Sequence, residues 1–217
     1  MGFIFFRKTS IVLAVVMLLQ ILGVSMSFAS QFADLEGHWA KTNIEAMVAL
    51  GLVNGVDDTT FAPDRQITRA EFATLLVRTL ELQEQNPSTN TFADVTSVDW
   101  FFKAVETAVA AKLVSGKGDG LFIPQGNITR QEMAVMIQRA LVLKGINLDV
   151  QNTETYTDEA DFAPWATEAI NVVTVLKIIT GNGDGAFSPN SNATRAQAVV
   201  VLHRIYSLMG LLLRPAN

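Results

Sequence analysis

The chain has 217 residues, of which 49% are hydrophobic and 17% are charged, and it contains no cysteine. This composition excludes a collagen-like chain, a disulfide-stapled domain and a strongly disordered chain. Its 16 basic and 21 acidic residues give a formal net charge of −5, which argues against nucleic acid as a partner.

The N-terminus predicts a secretory signal peptide. Residues 11–24 form an apolar run broken by a single glutamine, after Arg7 and Lys8 and before a stretch of small residues. We expect cleavage after Ala29, so that residues 1–29 are removed. The alternative is an uncleaved membrane anchor, but the run is shorter than the ~20 residues that a spanning helix needs. We therefore expect no stable membrane span after cleavage.

The rest of the chain contains three copies of one sequence pattern. Each copy has an aromatic-x-Asp triplet, a tryptophan, a glycine-bearing turn, a Phe-x-Pro triplet and a Thr-Arg pair, and 29 residues separate the tryptophan from the threonine each time. The opening residues are Phe32 and Asp34, Phe92 and Asp94, and Tyr156 and Asp158, and the later triplets start at Phe61, Phe122 and Phe187. We divide the chain into repeats over 30–80, 92–143 and 156–208, with a C-terminal tail over 209–217.

Each repeat is predicted to form a helix, a loop and a second helix. The first helix starts near the tryptophan and carries apolar residues at helical spacing, such as Ile44 and Met47. The second helix starts at a capping box, in which a threonine hydroxyl and a Glu or Gln side chain satisfy free backbone donors. The three boxes are Thr68 with Glu71, Thr129 with Glu132, and Thr194 with Gln197.

An apolar stripe follows each capping box, so the three second helices can pack together. One unit of about 60 residues would bury too little surface to be stable alone. The sequence therefore predicts a single cooperative domain, all-α and pseudo-threefold, that unfolds in one transition.

The five sequence features, which recur in the same order in each of the three copies, resemble the S-layer homology repeat. The resemblance covers residues 31–208. It implies a spindle with three prongs, in which the Thr-Arg-led helices form a central bundle with grooves between neighbouring repeats. It also implies a secreted protein held non-covalently at the cell wall or cell surface. The implied partner is a secondary cell-wall polysaccharide linked to peptidoglycan, often carrying a ketal-linked pyruvate.

The resemblance further implies that the motif arginines Arg69, Arg130 and Arg195 contact this acidic sugar. Each occupies the first helical position, where the helix dipole disfavours a cation by roughly 0.3–1 kcal/mol, which indicates another purpose. We hypothesise that each helix start binds a carboxylate through exposed backbone donors and the guanidinium. The alternative is that the arginines pair with nearby carboxylates, such as Glu71, Glu132 or the opening Asp of a neighbouring repeat.

Two further sets complete the candidate ligand-binding residues. The turn glycines are expected to shape the groove, and the tryptophans are possible platforms for sugar stacking, although core or inter-repeat packing is the favoured interpretation for the tryptophans. These residues are Gly55, Gly116, Gly181, Trp39, Trp100 and Trp165. The opening aspartates are expected to be caps or turn formers. Because repeat 3 has Gln197 where the others have Glu, we expect unequal sites.

The sequence gives little support for catalysis, a metal or a cofactor. It has two histidines, no cysteine and no familiar catalytic motif. The Gly181–Gly185 stretch resembles part of a calcium loop, but Thr180 and Ser191 stand where that loop needs acidic ligands. We therefore expect a non-enzymatic protein without metal or cofactor.

A second hypothesis is a structural or assembly protein of the surface layer that binds another envelope protein. Only Tyr206 to Asn217, the last residues of the third repeat and the tail, remain after the apolar stripe of that repeat, and their leucine-rich start is expected to extend the last helix. A wall anchor without attached cargo would suit such an assembly role.

Overall fold

The computed structural model describes residues 32–146 and 155–212, so the expected signal peptide lies outside the described residues. The helices are α1 (Lys41–Ala49), α2 (Arg69–Thr79), α3 (Phe102–Ala110), α4 (Arg130–Leu143), α5 (Thr167–Val175) and α6 (Arg195–Leu212), with short 3₁₀ turns at Ala33–Leu35 and Glu159–Asp161. Within these residues the only β-type pairings are isolated bridges. The all-α, three-repeat prediction is confirmed.

The second helix of each repeat begins where its capping box predicts. In repeat 1 the Thr68 hydroxyl accepts from the Glu71 N–H at 3.2 Å, and the Glu71 carboxylate accepts from the Thr68 N–H at 2.9 Å. Repeat 2 repeats both bonds. In repeat 3 the Gln197 amide oxygen accepts from the Thr194 N–H at 3.2 Å. An amide therefore replaces the carboxylate of the box without loss of either hydrogen bond.

The most extensive helix contacts join neighbouring repeats. Helix α2 packs on α3, α4 packs on α5, and α6 closes the cycle by packing on α1. The apolar residues that face these contacts, such as Ile44, Val105 and Ile170, are fully buried. Each first helix is thus covered by the second helix of the preceding repeat.

A ring of backbone hydrogen bonds joins the residues that precede the capping threonines. The Ile67 N–H donates to the Ala193 carbonyl at 3.0 Å, the Ala193 N–H to the Ile128 carbonyl at 2.9 Å, and the Ile128 N–H to the Ile67 carbonyl at 3.1 Å. The cycle closes only when all three repeats contribute. The pseudo-threefold symmetry of the sequence is therefore expressed in the backbone.

The opening aspartates hold the Phe-x-Pro turns. The Asp94 carboxylate accepts from the N–H groups of Phe122 and Ile123 at 2.8 and 2.7 Å. Ile123 has φ of 59°, in the left-handed region that non-glycine residues rarely adopt. Asp34 and Asp158 make the equivalent bonds in their own repeats. The prediction that these aspartates are turn formers is confirmed.

Helix α6 continues past the third motif to Leu212, as expected for the leucine-rich start of the tail. No helix in the described part of the chain combines the length and apolar character needed to cross a bilayer.

Candidate ligand grooves between the repeats

The motif arginines are buried, and each one forms hydrogen bonds to the next repeat. Arg69 is 5% exposed. Its Nε donates to the Phe122 carbonyl at 2.9 Å, its Nη2 donates to the Ser115 carbonyl at 3.2 Å, and its guanidinium lies 4.8 Å from the centroid of the Phe122 ring. Arg69 therefore fixes the start of α2 to the loop of repeat 2 through two hydrogen bonds and a cation–π contact.

The other two arginines repeat this geometry around the cycle. Arg130 donates to the carbonyls of Phe187 and Thr180 at 2.7 and 2.9 Å. Arg195 donates to the carbonyls of Phe61 and Asn54, both at 3.1 Å. Each guanidinium also lies within 4.9 Å of its phenylalanine ring centroid.

Backbone carbonyls, rather than the carboxylates considered from the sequence, are the main partners of these arginines. Arg69 has an additional carboxylate contact, because its Nη1 lies 3.4 Å from Glu132 Oε1. Burial lowers the pKa of all three guanidinium groups, but an arginine remains protonated at neutral pH.

The hypothesis of exposed backbone donors at the helix starts is wrong. The first two N–H groups of α2 donate to the carbonyls of Gly126 and Pro124, at 2.9 and 3.1 Å. Helices α4 and α6 make the equivalent bonds to repeats 3 and 1. The third N–H of each helix is taken by the capping threonine. The first three backbone N–H groups of each helix are therefore already bonded within the protein, and they are not free to bind an anion.

Two grooves nevertheless open beside the buried arginines. The first, here called the Arg69 groove, has a volume of about 380 Å³ and is lined by Arg69, Ser115, Gly116, Lys117, Glu132, Arg139 and Trp165, among others. The second, the Arg130 groove, has a volume of about 310 Å³ and is lined by Arg130, Thr180, Gly181, Asn182, Gln197, Arg204 and Trp39, among others. Each groove takes residues from all three repeats.

The tryptophans are exposed, which contradicts the interpretation that they pack in the core. Trp39, Trp100 and Trp165 are 62%, 67% and 59% exposed. Each precedes its helix by two residues and so lies outside the apolar stripe that faces the neighbouring repeat. Trp165 lines the Arg69 groove and Trp39 lines the Arg130 groove. Both present aromatic surface to a potential ligand.

The turn glycines allow the groove wall to pass close to the opening aromatic residue. A Cβ atom on Gly116 would lie 2.8 Å from the Leu121 carbonyl oxygen and 3.0 Å from Phe92 Cε1. Gly55 and Gly181 are equally confined. The absence of a side chain lets this loop place the Ser115 carbonyl under Arg69. All three glycines therefore serve close packing, and Gly116 and Gly181 do so at the walls of the two grooves.

Sequence reasoning missed a second set of arginines. Arg139 lines the Arg69 groove and donates to the Ser115 hydroxyl at 3.0 Å, and Arg204 lines the Arg130 groove and donates to the Ile178 carbonyl at 3.0 Å. Arg78 occupies the same register in repeat 1. All three follow the motif arginine by nine residues. This spacing is visible in the three aligned repeats and could have identified them.

The carboxylates of the capping boxes also carry ion pairs. Glu132 pairs with Lys117, and Glu71 pairs with Arg65 at 2.6 Å. Burial by itself raises the pKa of Glu132, but the hydrogen bonds from Lys117 and the Thr129 N–H outweigh it, so this pKa lies below its ordinary value. The pKa of Glu71 is lowered in the same way, against burial, by Arg65 and the Thr68 N–H.

The fold and the grooves define a class of protein, namely an all-α module of three helix–loop–helix repeats that close into a ring. The family model described as the S-layer homology domain matches residues 31–73, 91–134 and 155–199, and the chain belongs to this family. S-layer homology domains are anchoring modules of exported proteins at the cell surface, and this family membership places the chain there.

Relatives of two kinds share this module. The chain is 32% identical to the S-layer protein EA1 of Bacillus anthracis, over 75% of the chain and 18% of the relative. It is 30% identical to an amylopullulanase of Thermoanaerobacterium thermosulfurigenes, over 86% of the chain and 10% of the relative. It is also 33% identical to an endoglucanase of Bacillus sp. (strain KSM-635), over 82% and 19%. The chain thus spans less than a fifth of each of these relatives, and the similarity to the two enzymes covers their S-layer homology part.

Proposed function

We propose that this protein attaches to the bacterial cell wall by binding an acidic secondary cell-wall polysaccharide in the grooves between its repeats. The observation that carries the proposal is the pairing of cationic side chains with an exposed tryptophan in each of the two grooves. A polysaccharide that carries ketal-linked pyruvate offers both a carboxylate and a sugar face, and so matches these two features.

The arginines suit a carboxylate because their orientation is set before a ligand arrives. The Nε and Nη2 of Arg130 are held by two backbone carbonyls, and Arg204 is held by the Ile178 carbonyl. A group that is already ordered loses little conformational entropy when it binds. A guanidinium–carboxylate hydrogen bond is also among the stronger ones available to a protein.

The tryptophans suit the apolar face of a pyranose ring. Aromatic side chains provide large contact areas in binding sites, and Trp39 and Trp165 are more than half exposed at the groove edges. The polymer would then be held by charge at the groove floor and by stacking at its edge. The relatives support this anchoring role, since proteins named as an S-layer protein, an amylopullulanase and an endoglucanase share the module.

Co-sedimentation of the secreted protein with purified wall sacculi tests the proposal. We expect binding to sacculi that retain the secondary polymer and loss of binding after acid extraction of that polymer. Binding that survives extraction would instead identify peptidoglycan as the ligand. Failure to bind either preparation would favour the second hypothesis, a partner protein of the envelope.

Substitutions at the groove edge test the site itself. Trp39→Ala and Arg204→Ala should each weaken sedimentation with intact sacculi, and the double variant should weaken it further. Val98→Ala is the control, because Val98 is 90% exposed and lines neither groove. Wild-type binding by the double variant would rule out the Arg130 groove as a necessary site.

A further inference from the structure

We propose that the Arg130 groove is the strongest anion-binding site of the module, and that Gln197 is the residue that makes it so. This inference rests on the proposed function, because it ranks the grooves for the carboxylate of the same wall polymer. It follows from the chemical difference between Glu132 and Gln197 at equivalent positions of the two grooves, which also differ at Lys117, where the Arg130 groove has Asn182.

The capping-box residue of repeat 2 places a negative charge beside the arginine of the Arg69 groove. Glu132 Oε1 lies 3.4 Å from Arg69 Nη1, and the same carboxylate pairs with Lys117. The residue is 8% exposed, so water screens it weakly. A ligand carboxylate that approaches Arg69 must compete with a carboxylate that the protein already supplies.

Repeat 1 has the same arrangement at its capping box. Glu71 pairs with Arg65 at 2.6 Å through Nη2, and its negative charge also acts on Arg195, the counterpart of Arg69 in repeat 3. Two of the three motif arginines therefore have a glutamate at this position.

The Arg130 groove has an amide at the same position. The Gln197 oxygen accepts from the Thr194 N–H at 3.2 Å, so its NH₂ group is the end left to donate. None of the described residues that line this groove is acidic, whereas Arg130, Arg204 and Asn182 all carry donors. The substitution thus replaces a competing acceptor by a donor.

The consequence is a competition for Arg69. Lys117 offsets part of the charge of Glu132, but the Glu132 carboxylate still lies 3.4 Å from Arg69 Nη1, where a ligand carboxylate would have to bind. At a partly buried site an interaction between unit charges a few ångströms apart is strong enough to change an equilibrium several-fold. We therefore expect the Arg130 groove to bind a carboxylate ligand several-fold more tightly than the Arg69 groove.

The tryptophans allow the grooves to be measured separately in one sample of the full secreted protein. Trp39 reports on the Arg130 groove and Trp165 on the Arg69 groove through their indole N–H resonances, which single Trp→Phe variants assign. The probe is a methyl glycoside that bears a ketal-linked pyruvate, and its methyl ester is the uncharged control. We expect the Trp39 resonance to saturate first, and the ester to cause no saturable shift at Trp39.

Two reciprocal variants then test the role of position 197. Gln197→Glu should weaken binding at Trp39 several-fold, and Glu132→Gln should strengthen binding at Trp165. Both variants keep a capping box that this chain already uses, and thermal unfolding checks that each one folds.

The outcomes separate this inference from the function on which it rests. Saturation of Trp165 before Trp39, or unchanged affinity at Trp39 in Gln197→Glu, overturns the ranking while pyruvate binding stands. Absence of a saturable shift at any indole, together with loss of sedimentation, overturns the ranking and the proposed function together.

Discussion

At the level of single residues, the position of the motif arginines has a structural explanation. A cation at the first helical position is opposed by the helix dipole, yet Arg69, Arg130 and Arg195 all stand there. Each one is compensated by two carbonyls and an aromatic ring of the next repeat. The arginine therefore organises the interface first, and any ligand contact uses the part of the guanidinium that lines the groove.

Loss of one motif arginine should destabilise the fold strongly. Arg130→Ala leaves the carbonyls of Phe187 and Thr180 without their donor, and a buried unsatisfied polar group costs about 1–3 kcal/mol. We expect the free energy of unfolding to fall by about 3 kcal/mol in urea denaturation. Arg204→Ala, at a half-buried site, should cost less than about 1 kcal/mol. Equal losses would contradict the structural role of Arg130.

The glycine of the groove wall should tolerate no side chain. Gly116→Ala places a Cβ 2.8 Å from the Leu121 carbonyl oxygen, and we expect a loss of about 1–3 kcal/mol, typical of overpacking. Gly210→Ala is the matched control, because Gly210 lies in α6 with no atom within 4 Å of the added Cβ. That change should raise stability by up to about 1 kcal/mol. Similar urea midpoints for the two variants would contradict the close approach at Gly116.

The sequence motifs identify these residues more reliably than they predict their roles. Phe-x-Pro and Thr-Arg are local patterns, but the carbonyls that bind Arg69 lie 46 and 53 residues away along the chain. Burial of Arg69 and exposure of Trp39 both depend on packing between repeats. No local pattern encodes that packing. The favoured core-packing interpretation of the tryptophans was therefore wrong, their role in ligand binding stays a prediction, and the aspartate turns were predicted correctly.

At the level of helices, the capping boxes are the clearest local signals. They specify where α2, α4 and α6 begin, because the threonine and its partner three residues later satisfy each other. The sequence does not specify which helix covers which, since α2 packs mainly on α3 of the next repeat rather than on α1 of its own repeat. Helix starts could therefore be predicted, whereas the cyclic pairing of helices emerges only in the folded chain.

The two capping glutamates should make stability depend on acid pH. The folded-state pKa values of Glu71 and Glu132 lie below the ordinary value of about 4.3. Their contribution is therefore complete above that pH and is lost as the pH falls through the folded-state pKa. The Glu71→Gln/Glu132→Gln variant should lose less stability than the wild type between pH 7 and pH 3.

Urea denaturation at both pH values measures this difference. Glu84→Gln is the control, because Glu84 is exposed and lies outside both capping boxes. The control should retain the full pH dependence of the wild type. An unchanged pH dependence in the double variant would show that the capping glutamates do not carry the acid sensitivity.

At the level of the whole molecule, the grooves exist only because the ring closes. The Arg69 groove combines Arg69 of repeat 1, Arg139 of repeat 2 and Trp165 of repeat 3. The Arg130 groove combines Arg130 of repeat 2, Arg204 of repeat 3 and Trp39 of repeat 1. Three copies are thus the smallest number that completes either groove, so the proposed wall binding requires the same closed assembly as the fold.

Unfolding should accordingly occur in one step. The ring of Ile67, Ile128 and Ala193 opens if any repeat leaves, and two of the three arginine contacts between repeats are then lost. We expect a single calorimetric transition whose van't Hoff and calorimetric enthalpies agree, as in two-state unfolding. Arg130→Ala should lower the Tm of this transition without splitting it, because the cost at one interface is shared by the whole ring. Three separate transitions, or a variant in which only part of the heat absorption shifts, would show that the repeats fold as independent units.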